Sequence, residues 1–189
     1  MPTSHWSYIS KTVDLLKQYN PKSILEVGIG ALKYGILARE YLEIYGGNRW
    51  QKKDWQVRID GIEIYEPYIT EQAKHYYTKI FNRDVVDLLY YRRLLLLPHY
   101  DLSLMMDVIE HLKKDRGLFV IQELCKLAKV SIFAIPLGDW RYEVTEGNTA
   151  ESHISVWEKS DLLGLPNLKE ATYYPVSGKE IGLFVFENK

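Results

Sequence analysis

The sequence predicts an α/β fold, a doubly wound and mostly parallel sheet that ends in a C-terminal antiparallel hairpin. Three observations carry this expectation. Short β-rich runs alternate with stretches of helical periodicity through about the first three quarters of the 189 residues. The first of these runs, Ile24-Leu-Glu-Val-Gly-Ile-Gly30, ends in glycines that take backbone angles forbidden to side chains and leave amides free to point at a ligand. Two final β-rich runs flank Pro175-Val-Ser-Gly-Lys, a turn-forming stretch.

Taken in order, a helix is expected over Ser4 to Tyr19, where Tyr8, Val13, Leu15 and Leu16 form an apolar stripe that Asn20-Pro21 stops. Strand one is Ser23 to Val27, and Ile36, Leu37, Tyr41, Leu42 and Tyr45 then recur at helical spacing up to Gly46-Gly47. Val57 to Ile64 and a helix over Ile69 to Tyr77 make the second repeat; Lys79 to Asp84 and a helix within Val86 to Leu97 make the third. Asp101 to Met106 leads into a helix reaching Leu127, and Val130 to Ile135 is the fifth strand. Beyond Gly138 the chain is polar and turn-rich, with a short helix opening at Ser160-Asp161 and strands over Leu168 to Tyr174 and Ile181 to Glu187. No repeat or linker is visible, so residues 1–189 are expected to be a single domain, with 1–137 the ligand-binding core and 138–189 a connection and terminal hairpin.

Composition narrows the function. Apolar residues at 47% and charged residues at 26% are ordinary for a globular chain, and a net charge of -1 lacks the basic footprint of a nucleic-acid binder. The single Cys125 forms no intrachain disulfide, and no basic-then-apolar leader or spanning segment stands out, so a cytoplasmic protein without a membrane partner is expected. A dinucleotide fingerprint requires glycine where Lys33 stands, and a P-loop requires Ser or Thr after its lysine, where Tyr34 stands.

Glu26-x-Gly28-x-Gly30 resembles motif I of the class I S-adenosylmethionine-dependent methyltransferases, in the version common among small-molecule enzymes. The resemblance continues in order through Ile59-Asp-Gly-Ile-Glu63, Asn82-Arg-Asp84-Val85 and Tyr100-Asp-Leu-Ser-Leu-Met-Met-Asp-Val-Ile-Glu-His-Leu112. It implies a Rossmann-like methyltransferase fold, S-adenosylmethionine as cofactor, and methyl transfer to an oxygen or nitrogen of a small-molecule acceptor. A non-catalytic S-adenosylmethionine-binding or regulatory protein of the same fold is the alternative. Many members carry a further glycine where this chain has Leu32, whose side chain must then point away from the cofactor.

By this resemblance Gly28 and Gly30 approach the methionyl part and Glu26 orients the loop. Glu63 ends strand two, where a carboxylate accepts from both ribose hydroxyls; Asp60 and Glu66 are the competing acids. Asp84 either accepts from the adenine amino group, between apolar walls from Ile64, Tyr65 and Val85, or caps the next helix. Methyl transfer asks the protein to position the acceptor and remove its proton. Asp107 and His111 follow strand four at the carboxyl edge, and His111 is a candidate base; Asp107-x-x-Glu110 also reads as a capping box. Asp107 is assigned to both cofactor and catalysis.

Trp140, Tyr142, Glu146, Asn148, Glu151, His153 and Trp157 crowd the polar connection, as an acceptor lid with His153 a second base, or as aromatics sealing the sheet. Trp6 and Tyr8 either fold over the cofactor or pack in the core, and Arg92-Arg93 either meet an anionic acceptor or face solvent. No metal-ligand spacing of a recognised type is present, so no metal is expected.

Overall fold

The run Ser23–Val27 forms β1, and its neighbours explain its sequence. Parallel pairing with β2 (Arg58–Glu63) on one side and β4 (Tyr100–Met106) on the other leaves Ile24, Leu25 and Val27 covered on both faces. The computed structural model describes residues 3–91 and 97–188. Within these, β3 (Lys79–Asn82), β5 (Ala128–Leu137), β6 (Leu168–Val176) and β7 (Lys179–Glu187) complete a seven-stranded sheet in the order β3-β2-β1-β4-β5-β7-β6. The first five strands pair in parallel, whereas β7 runs antiparallel to both β5 and β6. The order reverses at β1, so the crevice between β1 and β4 is the topological switch point where ligands bind in open α/β sheets.

Two apolar layers sandwich the sheet. On one face Ile24, Leu102, Leu104, Ile132 and Leu183 pack against α1 (Ile9–Tyr19) and α2 (Lys33–Ala38), with α4 (Glu71–Tyr76) beside them. On the other, Leu25, Met105, Phe133 and Phe184 meet α5 (Val85–Tyr90), α6 (Lys114–Leu127) and α7 (Lys159–Leu163). Alternate residues of β4, β5 and β7 divide between the layers, the period of two that a strand imposes.

The helical run that α2 opens ends at Gly46-Gly47, as its glycines suggest. It runs through a π-helical stretch, Arg39–Ile44, into a single turn, α3 (Tyr45–Gly47). Arg39 and Glu43 are buried there, and Arg39 donates to the carbonyls of Val57 (2.6 Å) and Tyr76 (2.8 Å). Glu43 accepts from the amides of Gln56 (2.8 Å) and Val57 (2.5 Å). The pair therefore fixes the entry to β2 and, six residues on, the position of Glu63.

Four sequence expectations change. The first helix begins at Ile9 rather than Ser4, because residues 4 and 5 are tied to Lys33 and Asp107 instead of to a helix. The terminal hairpin has no five-residue loop: Val176 pairs with Lys179 across a two-residue turn in which Ser177 and Gly178 have φ of 47° and 80°. Trp157 is fully buried and lies on α6, where a Cβ added to Gly117 would sit 2.6 Å from its ring, so it is core. The helix expected within Val86 to Leu97 is α5 as far as Tyr90, while Arg92, Arg93 and Leu94 to Leu96 lie outside the described residues. No described helix is long and apolar enough to cross a membrane.

Candidate active site

A cavity of about 530 Å³ opens at the carboxyl edge of the sheet, and it is lined by the turns after β1 to β5, by residues 3–5 and by the connection after β5. Its first half is the glycine turn. Gly28 (φ 74°) and Gly30 (φ 41°) have left-handed backbones, and a Cβ on Gly28 would meet Val108 Cγ2 at 2.5 Å. Leu32 is also left-handed, with φ of 65°, yet it is 5% exposed, packs in the α1/α2 core and does not line the cavity. The turn thus bends without its further glycine by turning the leucine inward, at a conformational cost of about 1 to 2 kcal/mol.

Glu63 stands across the turn, accepting from the amides of Gly30 (3.2 Å) and Tyr65 (2.9 Å). Burial raises its pKa and those amides oppose the rise. The competitors drop out: Asp60 is buried at the opposite end of β2 with Arg58 and Tyr100, and Glu66 does not line the cavity. Asp84 caps α5 at Oδ1 through the Val86 amide (2.7 Å), and the residue lines the cavity with Ile64 and Val85. Tyr65, expected as a wall, is not among the lining residues.

Glu26 is buried under the turn and accepts from the Tyr77 hydroxyl at 2.6 Å. Burial pushes its carboxyl up to about 8, against the pull of Tyr77 and the Gly35 amide, with the Glu63 charge adding to the rise. Gly35 is required here because a Cβ would collide with the Tyr77 ring and hydroxyl. Neither Tyr77 nor Gly35 stood out in the sequence.

The second half lies after β4. Asp107 (φ 54°) accepts at Oδ2 from the Tyr8 hydroxyl (2.5 Å) and the His5 amide (2.9 Å), while its buried Oδ1 has no partner. Tyr8 is accordingly core and a strut for Asp107. Trp6 is 73% exposed and does not line the cavity; Thr3, Ser4 and His5 do, and Lys33 holds the Ser4 carbonyl. The capping-box expectation fails, because neither oxygen of the buried Glu110 accepts a hydrogen bond and Asp107 is committed to the N-terminal segment.

His111 Nδ1 lies 3.1 Å from the Ser152 carbonyl, which can only accept, so this nitrogen carries the proton and Nε2 keeps its lone pair. His153 sits edge-on to the His111 ring at 4.8 Å and against Tyr142 at 4.3 Å. Burial lowers both imidazoles, His153 to about 4 with the neighbouring His111 adding to the fall. Burial and the Asp107 charge hold Glu110 well above the carboxylate range. With His153 neutral, the 3.7 Å approach of its Nε2 to Glu110 Oε1 is not an ion pair.

The connection is pinned over this half. His153 N donates to Tyr142 O (2.9 Å), Ile154 N to Glu110 O (2.9 Å) and the Tyr68 hydroxyl to Glu151. Trp140, Tyr142, Asn148, Glu151 and His153 line the cavity as expected of a lid, whereas Glu146 does not.

No protein-family model and no curated protein sequence matches this chain. Solved structures do. The N-terminal domain of EvdMO1, crystallised in the presence of SAH and D-fucose, superposes with a TM-score of 0.63 at 12% identity, over 99% of this chain and 85% of that one. The methyltransferase domain of bacterial CtHen1-CN gives 0.61 at 17% identity, over 96% and 98%. The 1,6-didemethyltoxoflavin-N1-methyltransferase of Burkholderia thailandensis, with bound 1,6-didemethyltoxoflavin and S-adenosylhomocysteine, gives 0.59 at 15%, over 96% and 77%. The chain has the Rossmann-like fold of class I S-adenosylmethionine-dependent methyltransferases.

Proposed function

We propose that the protein binds S-adenosylmethionine and transfers its methyl group to an oxygen or nitrogen of a small molecule. One observation carries the reading: a single cavity is lined by the glycine turn with Glu63 and by the His111–His153 pair. Glu63 retains lone pairs beyond its two amide bonds, enough to accept from ribose hydroxyls. Asp84 and Val85 suit the adenine, and the unpartnered Oδ1 of Asp107 suits the methionyl ammonium. Asp107 thereby belongs with the donor, since its second oxygen is already committed to Tyr8 and His5.

The sulfonium supplies a reactive methyl, so the chain has to orient the acceptor and accept or stabilise away its proton. His111 and His153 supply neutral nitrogen at that place, and Tyr142 and Trp140 supply flat area for an aromatic or cyclic acceptor. The inward-turned Leu32 removes one of the sequence features that favoured a non-catalytic protein. Calorimetric titration with S-adenosylmethionine and S-adenosylhomocysteine tests the donor; absence of binding at millimolar ligand sinks the reading. Release of S-adenosylhomocysteine with a panel of small hydroxyl and amine acceptors tests the transfer, and binding without turnover on every acceptor favours the regulatory alternative.

A further inference from the structure

We infer that Glu110, His111 and His153 form a binding site for a divalent first-row transition-metal ion. One potential ligand atom from each lies within 4.8 Å of the others. Glu110 is 1% exposed and both its carboxylate oxygens are buried with no hydrogen-bond partner, an arrangement that is costly unless something else satisfies it. His153 Nε2 stands 3.7 Å from Glu110 Oε1, too far for a hydrogen bond. It is close to the roughly 3.4 Å that separates two donor atoms on one tetrahedral ion with bonds of about 2.1 Å. The Nδ1–H of His111 is held by the Ser152 carbonyl, which fixes the tautomer and aims Nε2, the outer-shell support that metal-bound histidines have.

The ligands are also organised before any ion arrives. The Glu110 carbonyl takes the amides of Ile154 and Ser155, and His153 N bonds Tyr142 O, so the turn after β4 and the connection after β5 are joined at the three side chains. Sequence spacing hid this: Glu110 and His111 are adjacent and His153 is far along the chain, unlike any helical or knuckle motif. Two imidazoles and one carboxylate suit zinc, iron(II), cobalt(II) or manganese(II) better than magnesium or calcium, which prefer all-oxygen sets. All three residues line the cavity, so coordination positions remain for an acceptor oxygen.

The binding site stands without the methyl-transfer reading; only its catalytic use rests on it. In that use the ion lowers the pKa of a coordinated hydroxyl, whose proton leaves to solvent. The oxygen's electron pair then forms the bond to the methyl carbon, and the carbon–sulfur bond breaks onto sulfur to give a neutral thioether. The imidazoles then serve as ligands rather than bases.

The test is calorimetric titration of chelator-stripped full-length protein with cobalt(II), manganese(II) and zinc(II), with the visible spectrum of the cobalt form recorded in parallel. One ion per chain is expected, with affinity reduced by about 100-fold or more in each of His153→Ala and Glu110→Gln. Glu110→Gln keeps the size of the side chain and breaks no hydrogen bond, so it keeps the fold, which circular dichroism verifies. No saturable binding at millimolar metal, or equal binding by both variants, overturns the inference. S-adenosylhomocysteine titrated into the same preparations separates the two readings: binding of it without metal sinks the site alone, and metal bound without it sinks the methyl-transfer reading alone.

Discussion

The two halves of the cavity are built by different means. The proposed donor-side residues sit at strand ends, where parallel register fixes them: Gly28 follows β1, Glu63 ends β2 and Asp84 follows β3. The proposed acceptor side joins Glu110 and His111 to His153 through an irregular connection held by a few backbone bonds and by Tyr68 on Glu151. A strand end is specified by its own neighbours in sequence; a loop contact is specified by where the rest of the molecule puts it.

Substitution of either half should separate binding from turnover. His111→Ala and His153→Ala are each expected to lower turnover by about 10²- to 10⁴-fold. Their affinity for S-adenosylhomocysteine, measured by titration, should stay within about twofold; a comparable loss of affinity would show that the halves are not separable. Glu63→Ala reverses the pattern, removing charge-assisted hydrogen bonds worth about 1.5 to 3 kcal/mol and so weakening cofactor affinity by about 10- to 150-fold.

The third effect is a pH dependence of stability contributed by Glu26. In the folded protein Glu26 holds its proton up to about pH 8, whereas its ordinary value is 4.5. Between those values the unfolded chain binds fewer protons than the folded one, so stability is full below pH 4.5 and is lost as pH rises through 8. The contribution is at most about 1.4 kcal/mol per pH unit. Glu26→Gln, which still accepts from Tyr77, should flatten this slope in denaturant titrations of the cofactor-free protein; an unchanged slope would place the titrating group elsewhere.

The smallest effect is expected at Leu32. Leu32→Gly relieves a left-handed backbone but loses a buried side chain, for a net destabilisation of about 1 kcal/mol in chemical denaturation. Cofactor affinity should not change, because Leu32 does not face the cavity. A gain in affinity would mean that the turn is narrower than a glycine would make it.

Much of the donor side was legible beforehand. Strand β1 runs over Ser23–Val27 as expected, Glu63 lines the cavity at the end of its strand, and Asp84 both caps and faces inward. Those features rest on local rules, in which a short continuous apolar run marks a buried strand and a glycine pair marks the turn after it. The misreadings share one cause. The capping-box pattern at Asp107 and Glu110 was formally present, but the N-terminal segment claimed Asp107 and the connection claimed the surroundings of Glu110. Of the two roles open to Trp157, lid or seal of the sheet, its seat on Gly117 of α6 decides for the seal.

By itself, then, the sequence determined the strand order's raw material: which runs form strands, where the glycine turn falls and which acids end the strands beside it. Each of these is decided within a few residues by periodicity, backbone freedom and register. Tertiary structure alone decided that Tyr77 and Gly35 hold Glu26, and that Glu110, His111 and His153 converge. The physical reason is that burial and coordination depend on which groups meet in space, and no short-range pattern records a meeting between a turn after β4 and a loop more than forty residues later.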